Sequence, residues 1–495
     1  MKKTISGVLL ALTAVFALVA CGKKTTKKDE TTKKGEATTT KKTTKLTSKE
    51  KIEKKNKIVF HCWNNEFQSR VNDYYKNVNY YDANTTYLLG GNYIEWVTNP
   101  NEGSNYQDKL DIALGKDEVD MFVFEADYAT KYVKSDKVAD LATAIEGLDM
   151  SGQYQYTKDI VTLGDTVKGT SWQATPGVTI YNNNVAKAVF GDDVTYETMV
   201  TNLNAANFNK TAEAVKKAKK NKFMMIGPDC WFRVYSNNLT AKMFDDKGTA
   251  ETTDDTLTVD KQLFQWAKDT KEFYDARYIR SVDDDYGLWG AEWGAEQGKD
   301  NCLCIFSCPW FTDFCLTGYR ANKGEEEKPI AERTDCGLRV APSHKGWFWG
   351  GTWLTATKTG LAKDGIKSDI ATLIKTMTTD KDTLVAIAKG AGDFTNSKAA
   401  MEDLAKDDTC KVAYFGGQNC FSIYATSVAG ADLSKASDYD QQVAENIQAA
   451  FRKYFQAYCT AEEAWDDFKT ELAKKVSIEP TIATGVTLGD DITIA

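Results

Sequence analysis

Aromatic rings and polar side chains stand next to one another at several widely spaced places in this sequence. They are Trp63-Asn64-Asn65-Glu66, Glu125-Ala126-Asp127-Tyr128, Asp229-Cys230-Trp231, Cys308-Pro309-Trp310, Gly350-Gly351-Thr352-Trp353 and Gly392-Asp393-Phe394-Thr395-Asn396. A flat ring gives a sugar's C–H face something to rest on, and carboxylates or amides give its hydroxyls fixed partners. Hydroxyl-to-carboxylate bonds are charge-assisted and correspondingly strong. Such pairs suit the reversible holding of a polyhydroxylated molecule, with no covalent step required.

Other chemistries fare worse. The spacing Cys302-x-Cys304-x3-Cys308-x6-Cys315 suggests a metal at first glance. It lacks the paired Cys-x2-Cys knuckles of a zinc site, however, and Cys302 to Ser307 reads as a buried strand. Buried free thiols acting as small hydrophobes are the simpler reading, and would suit life without oxygen. His61 and His344 are the only histidines, and neither has a hydrolase motif beside it. Neither a metal nor a cofactor is implied. Abundant carboxylates keep a glycosidase or lyase acting on polysaccharide open as an alternative, since glycosidases need a carboxylate pair held about 5–9 Å apart.

The elements that must position these groups alternate. Apolar runs at Lys57–His61, Tyr93–Val97, Val119–Phe124, Gly177–Tyr181, Lys222–Ile226, Cys304–Phe306 and Gly337–Ala341 read as strands. Helical patterning falls between them, at 66–77, 105–115, 127–146, 211–220 and 261–278. Asn182 is placed to cap a helix starting near Val185. Asp245–Asp260 reads as a surface turn or short hairpin, and Asp283–Gly298 as a loop with aromatic faces. Helices at 366–378, 381–388, 397–406, 438–458 and 461–475 complete the chain, an α/β organisation. About 438 residues follow position 57, more than the roughly 250–300 at which a single core splits.

The amino end is of a different kind. Lys2 and Lys3 precede an apolar run from Ile5 to Ala20, too short for a hydrocarbon crossing of about 20 residues, so 1–20 reads as a secretory signal. The junction Leu18-Val19-Ala20-Cys21-Gly22 resembles the bacterial lipobox, which implies lipidation of Cys21 and an extracytoplasmic protein anchored to the cell membrane. Residues 21–56 are rich in Lys and Thr and cannot bury enough surface to order themselves, so they read as a disordered tether. Beyond Lys57 there are 46 basic and 65 acidic residues, a net charge near −19. This argues against nucleic acid as a partner and favours a neutral or cationic ligand.

Taken in order, the ring-and-acid blocks, together with Trp172-Gln-Ala-Thr-Pro-Gly177 and Tyr181-Asn182, resemble the extracellular solute-binding proteins of ABC transporters, in particular the carbohydrate-binding branch. The resemblance spans the chain from Lys57 onward. It implies a two-lobed periplasmic-binding-protein-like fold of type II, its lobes joined by crossing hinge strands near Gly177–Tyr181, Trp349–Trp353 and 410–417. Lobe 1 would comprise 57–178 with 352–409, and lobe 2 182–348 with 411–495. It also implies an oligosaccharide ligand, ABC permease subunits as partners, and a monomer. Carried onto this chain, the ligand-binding candidates are Trp63, Glu66, Asp127, Tyr128, Trp231, Trp289, Trp293, Trp310, Gly351, Trp353, Asp393 and Asn396. Each has a plainer reading: the tryptophans as core, the acids as helix caps, the glycine as a tight backbone approach. A receptor for a peptide or cationic metabolite, and an adhesin built on a receptor fold, stay open beside the sugar reading.

Overall fold

Met121-Phe-Val-Phe124 is apolar at four successive positions, which suits only a strand covered on both faces. All four residues are buried. The computed structural model describes residues 54–101, 105–218, 221–247, 255–326, 328 and 330–495. The expected signal, Cys21 and most of the tether lie outside the described residues.

The first sheet has seven strands. Numbered along the chain they are β1 (Lys57–Cys62), β2 (Val78–Tyr81), β3 (Thr85–Leu88), β4 (Tyr93–Thr98) and β5 (Met121–Phe124), then Thr170–Ser171 and Trp353–Ala356. Their spatial order is β2, β3, β4, β1, β5, Trp353–Ala356, Thr170–Ser171. β1 runs parallel to β4 and β5, whereas Trp353–Ala356 inserts antiparallel between β5 and Thr170–Ser171. Met121 and Val123 join Ile370, Leu373 and Ile374 of the helix Lys367–Thr379 on one face. Phe122 and Phe124 join Tyr106 and Leu110 of the helix Asn105–Gly115 on the other.

The second sheet centres on Val178–Asn182, flanked antiparallel by Cys304–Ser307 and Leu338–Pro342. Bridges from Phe223 to Cys302 and from Met225 to Ile279 extend it. Asn182 caps the helix Asn183–Phe190, its Oδ1 accepting from the amides of Asn184 (3.0 Å) and Val185 (3.2 Å). The helices Asp229–Ser236, Lys261–Asp275, Asp440–Phe455 and Ala461–Leu472 pack on this half.

The halves are joined by chain segments lying side by side. Gly177 donates to the Trp347 carbonyl (2.7 Å) and Trp349 to that of Thr175 (3.1 Å). On the other flank Ala174 donates to Phe394 (2.8 Å) and Asn396 to Trp172 (3.0 Å). Gly177 is required here, because a Cβ on it would lie 1.9 Å from the Trp347 ring.

Several expectations need correction. The helix expected over 127–146 is broken into Ala126–Tyr128, Ala129–Val133 and Leu141–Ala144, because Asp140 starts a new turn by accepting from the Ala142 amide. Half of the loop expected at 283–298 is the helix Ala291–Gln297. Residues 408–415 form 3-10 turns rather than a strand, and Cys420–Val428, whose apolar run gave no helical signal, is a helix. The last tether residues are ordered: Lys55 donates to the Gly91 carbonyl (2.9 Å), and the Lys54 ammonium lies over Tyr87 and Tyr93. Nine cysteines among the described residues form no disulfide, and eight of them are buried. No described group of His, Cys, Asp and Glu could hold a metal ion.

Candidate functional site: the cleft between the lobes

β5 ends at Phe124, and the next residues turn outward, delivering Glu125 and Asp127 to the boundary between the halves. From the second half, the helix Asp229–Ser236 delivers Arg233. Its guanidinium forks onto Asp127 with Nη1–Oδ1 2.7 Å and Nη2–Oδ2 2.6 Å. The same guanidinium lies 5.1 Å over the Trp349 ring. Burial works against the Arg233 charge, but Asp127 outweighs it and holds the guanidinium above its ordinary value.

Trp349 belongs to the crossing segment, and Trp310 meets it edge-on at 5.5 Å while donating from Nε1 to its carbonyl (2.9 Å). Gly350, at φ +70°, lets these groups converge. A Cβ there would stand 3.3 Å from Trp310 Nε1 and 3.5 Å from Glu125 Oε1. One carboxylate of the first lobe, one indole of the second and the crossing backbone thus share a point. Burial pushes the Glu125 carboxyl well above the carboxylate range, and the charges of Asp127, Glu445 and Glu66 add to it against the pull of Arg233.

The lobes also meet through Gln107 and Gln441 (3.0 Å) and through Lys134, which reaches Asp438 (2.8 Å) and Asp246 (3.0 Å). A cavity of about 50 Å³ is lined by Asp127, Arg233, Phe348 and Asp440. That space is smaller than the roughly 300 Å³ at which small-molecule pockets begin, and it lies beside the Asp127–Arg233 pair rather than at Trp310 and Trp349.

The candidates from sequence divide. Asp127 and Trp310 stand at this boundary. Glu66, first residue of the helix Glu66–Tyr74, is near enough for its charge to act on Glu125. Trp63 is half-buried, edge-on to Tyr106 at 5.7 Å. Tyr128 is buried, packs edge-on against Tyr132, and its hydroxyl has no hydrogen-bond partner among the described residues.

Others are spent on architecture. Trp231 is 3 % exposed, donates to Thr270 Oγ1 (3.1 Å) and packs on Phe208, Phe273 and Phe306. Its ring therefore fills the second core and has no face to offer a sugar. Trp353 lies between strands, stacked on Phe124, with Nε1 bound to the Thr157 carbonyl. Gly351, at φ +96°, is held by that indole, since a Cβ would come within 2.9 Å of it. Asp393 is buried against Arg70 (2.7 Å) within the first lobe. Asn396 is fully buried and spends its amide on Thr157 Oγ1, the Ser171 carbonyl and the Tyr154 amide. Trp293 is buried against Phe311, whereas Trp289 is 71 % exposed.

Glu125, Arg233, Trp349 and Glu445 were missed. Glu125 had a signal, being the first polar residue after a fully apolar strand, and Trp349 precedes the glycine pair of a crossing segment. Arg233 and Glu445 had none, because their faces are set by helix phase.

No family model and no curated protein matches the sequence. Solved structures do. A crystal structure described as extracellular solute-binding protein family 1 superposes with a TM-score of 0.65 at 14% identity, over 85% of this chain and 99% of that one. This chain has the fold of an extracellular solute-binding protein. An ABC transporter associated binding protein from B. animalis subsp. lactis, in complex with β-1,6-galactobiose, gives a TM-score of 0.59 at 15% identity over 86% and 99%. The GacH receptor of Streptomyces glaucescens, solved unliganded and with acarbose, gives 0.58 at 14% identity over 86% and 100%. The solute-binding-protein fold makes the boundary between the lobes the place to seek a ligand, which is where Glu125, Asp127, Arg233, Trp310 and Trp349 gather.

Proposed function

We propose that this chain is the ligand-capturing component of an ABC importer and that its ligand is a carbohydrate, an oligosaccharide by preference. The carrying observation is the edge-on Trp310–Trp349 pair, which meets Glu125 of the first lobe at Gly350, beside the Asp127–Arg233 fork. An indole of the second lobe, an indole of the crossing segment and carboxylates of the first lobe are thereby brought to one boundary. The open form takes the sugar on one lobe, and closure adds the contacts of the other. A ligand that bonds to both lobes has different affinity for the two states, as a ligand-driven closure requires. The carboxylates hold hydroxyls and perform no chemistry in this account.

The similar solved proteins bound to β-1,6-galactobiose and acarbose support a sugar ligand by analogy of fold. The amino-terminal pattern supports export and lipidation of Cys21, and the resemblance to solute-binding proteins supports presentation of a monomer to permease subunits at the outer face of the membrane. Among the described residues no helix is long and apolar enough to cross a membrane. A cationic metabolite or peptide is the second reading, favoured by one observation: Glu66, Glu125, Asp127 and Glu445 crowd a place where Arg233 is their cationic partner.

Calorimetric titration of the full chain with malto-, cello-, xylo-, manno- and galacto-oligosaccharides, alongside spermidine and short basic peptides, separates the two at low and high salt. Saturable sugar binding that is insensitive to salt is expected. Salt-sensitive binding of spermidine or peptide, with every sugar silent, would overturn the carbohydrate reading. Release of shorter sugars during the titration would point to an enzyme instead.

A further inference from the structure

Seven large apolar side chains stand exposed among the described residues, and three of them fall between positions 289 and 319. Trp289, Phe314 and Tyr319 are 71, 52 and 53 % exposed. A single exposed ring needs no explanation, but a row of rings that starts inside a cleft does. From Trp349 the row runs to Trp310 at 5.5 Å and on to Phe314 at 6.1 Å, the last pair edge-on.

The backbone beneath Phe314 is unusual. Thr312–Leu316 is a π-helical turn, closed by the Thr317 amide on the Thr312 carbonyl at 3.0 Å. Positions three apart share a face of an α-helix. Here Phe311 is fully buried against Trp293 while Phe314 stands outside. The wide turn parts them, and such turns recur at functional sites.

We infer that Phe314 is an outer stacking site continuous with the cleft, and that the ligand is an oligosaccharide long enough to leave the cleft and lie across it. This rests on the carbohydrate reading. The inner units are held between Trp310, Trp349 and the carboxylates of the first lobe. Outer units, reaching solvent, meet a ring with no charged group bonded to it, which suits stacking and tolerates variation in the sugar.

The test is calorimetry of the full chain with α-1,4-gluco-, β-1,4-gluco-, β-1,4-xylo- and β-1,4-manno-oligosaccharides, each as a series from disaccharide to hexasaccharide. In a series that binds, affinity should rise with length. Phe314→Ala should weaken the longest members about threefold to tenfold, the range expected of one ring contact, and leave the disaccharide unchanged. Phe314→Tyr should keep the gain with length, and Phe314→Leu, apolar but not flat, should lose it. Equal effects on short and long sugars, or no effect on either, would overturn the inference while leaving a sugar receptor intact. Dissociation of a wild-type dimer by Phe314→Ala in sedimentation would assign the ring to a second copy and overturn it too. If no series binds the wild type, the carbohydrate reading fails and this site fails with it.

Discussion

Replacing Asp127 with Asn asks whether the chain holds itself closed. The Asp127–Arg233 fork has two bonds of 2.6–2.7 Å, and the side chains are 18 and 15 % exposed. At an effective dielectric of about 20, two charges about 4 Å apart attract by about 4 kcal/mol. Desolvation returns part of that, and hydrogen bonds to charged groups are worth about 1.5–3 kcal/mol net. One partner belongs to each lobe, so the loss falls on closure and not on the folding of either lobe. About 2 kcal/mol shifts the closed-to-open ratio by about thirtyfold. Small-angle scattering of the full chain without added sugar should therefore show a larger radius of gyration for Asp127→Asn than for wild type. Arg233→Lys, which keeps the charge and loses the fork, should fall between them. An unchanged scattering curve for Asp127→Asn would refute the reasoning. So would an unchanged radius with a clearly lower urea midpoint, because the pair would then be stabilising one lobe.

Trp231→Ala should lower unfolding stability by about 3–5 kcal/mol through the cavity it leaves, whereas Trp310→Ala should leave the urea midpoint nearly unchanged and weaken sugar binding instead. Gly177→Ala should cost about 1–3 kcal/mol in the same denaturation assay, because its Cβ has the Trp347 ring in the way. Burial pushes Asp440 up to about 7 despite hydrogen bonds from Ser437, and Glu125 is raised as well. For carboxyls raised on folding, the stability they contribute is complete below the unfolded value near 4 and is lost as pH rises through the folded one. Stability should thus decline between about pH 4 and 8, through Asp440 and then Glu125, and Asp440→Asn should flatten the lower part of that slope in urea unfolding followed across pH.

The strands that frame the cleft were legible because they are buried on both faces: β1 and β5 are apolar almost without interruption, and no other element would hide them. Asn182 and its helix were legible because a cap is a local bond. The hairpin β2–β3 was not, since its Asn, Tyr and Thr residues carry no apolar run, although β2 alone is a half-exposed edge and Thr86, Tyr87 and Leu88 of β3 are buried. Local sequence also could not tell a stacking indole from a structural one. In the helix Asp229–Ser236, positions 231 and 233 face nearly opposite ways, and only the approach of Asp127 from the other lobe decides that Arg233 faces the cleft and Trp231 the core. Asp229 illustrates the same point, being drawn away to Arg452 at 3.0 Å. Asp393 and Asn396 were expected at the ligand, but they bond to Arg70 and Thr157, partners more than 200 positions distant that local sequence could not supply.

The place of Trp353–Ala356 in the first sheet has a consequence for when the first lobe can fold. That strand sits between β5 and Thr170–Ser171, so the sheet begun by residue 57 cannot be completed until some 300 further residues have been made. Pairings so distant along the chain are slow to form. A first lobe that cannot finish early lacks part of its strand pairing while most of the chain is being made. The same wiring that joins two lobes into a hinge ties completion of the first lobe to the synthesis of the second.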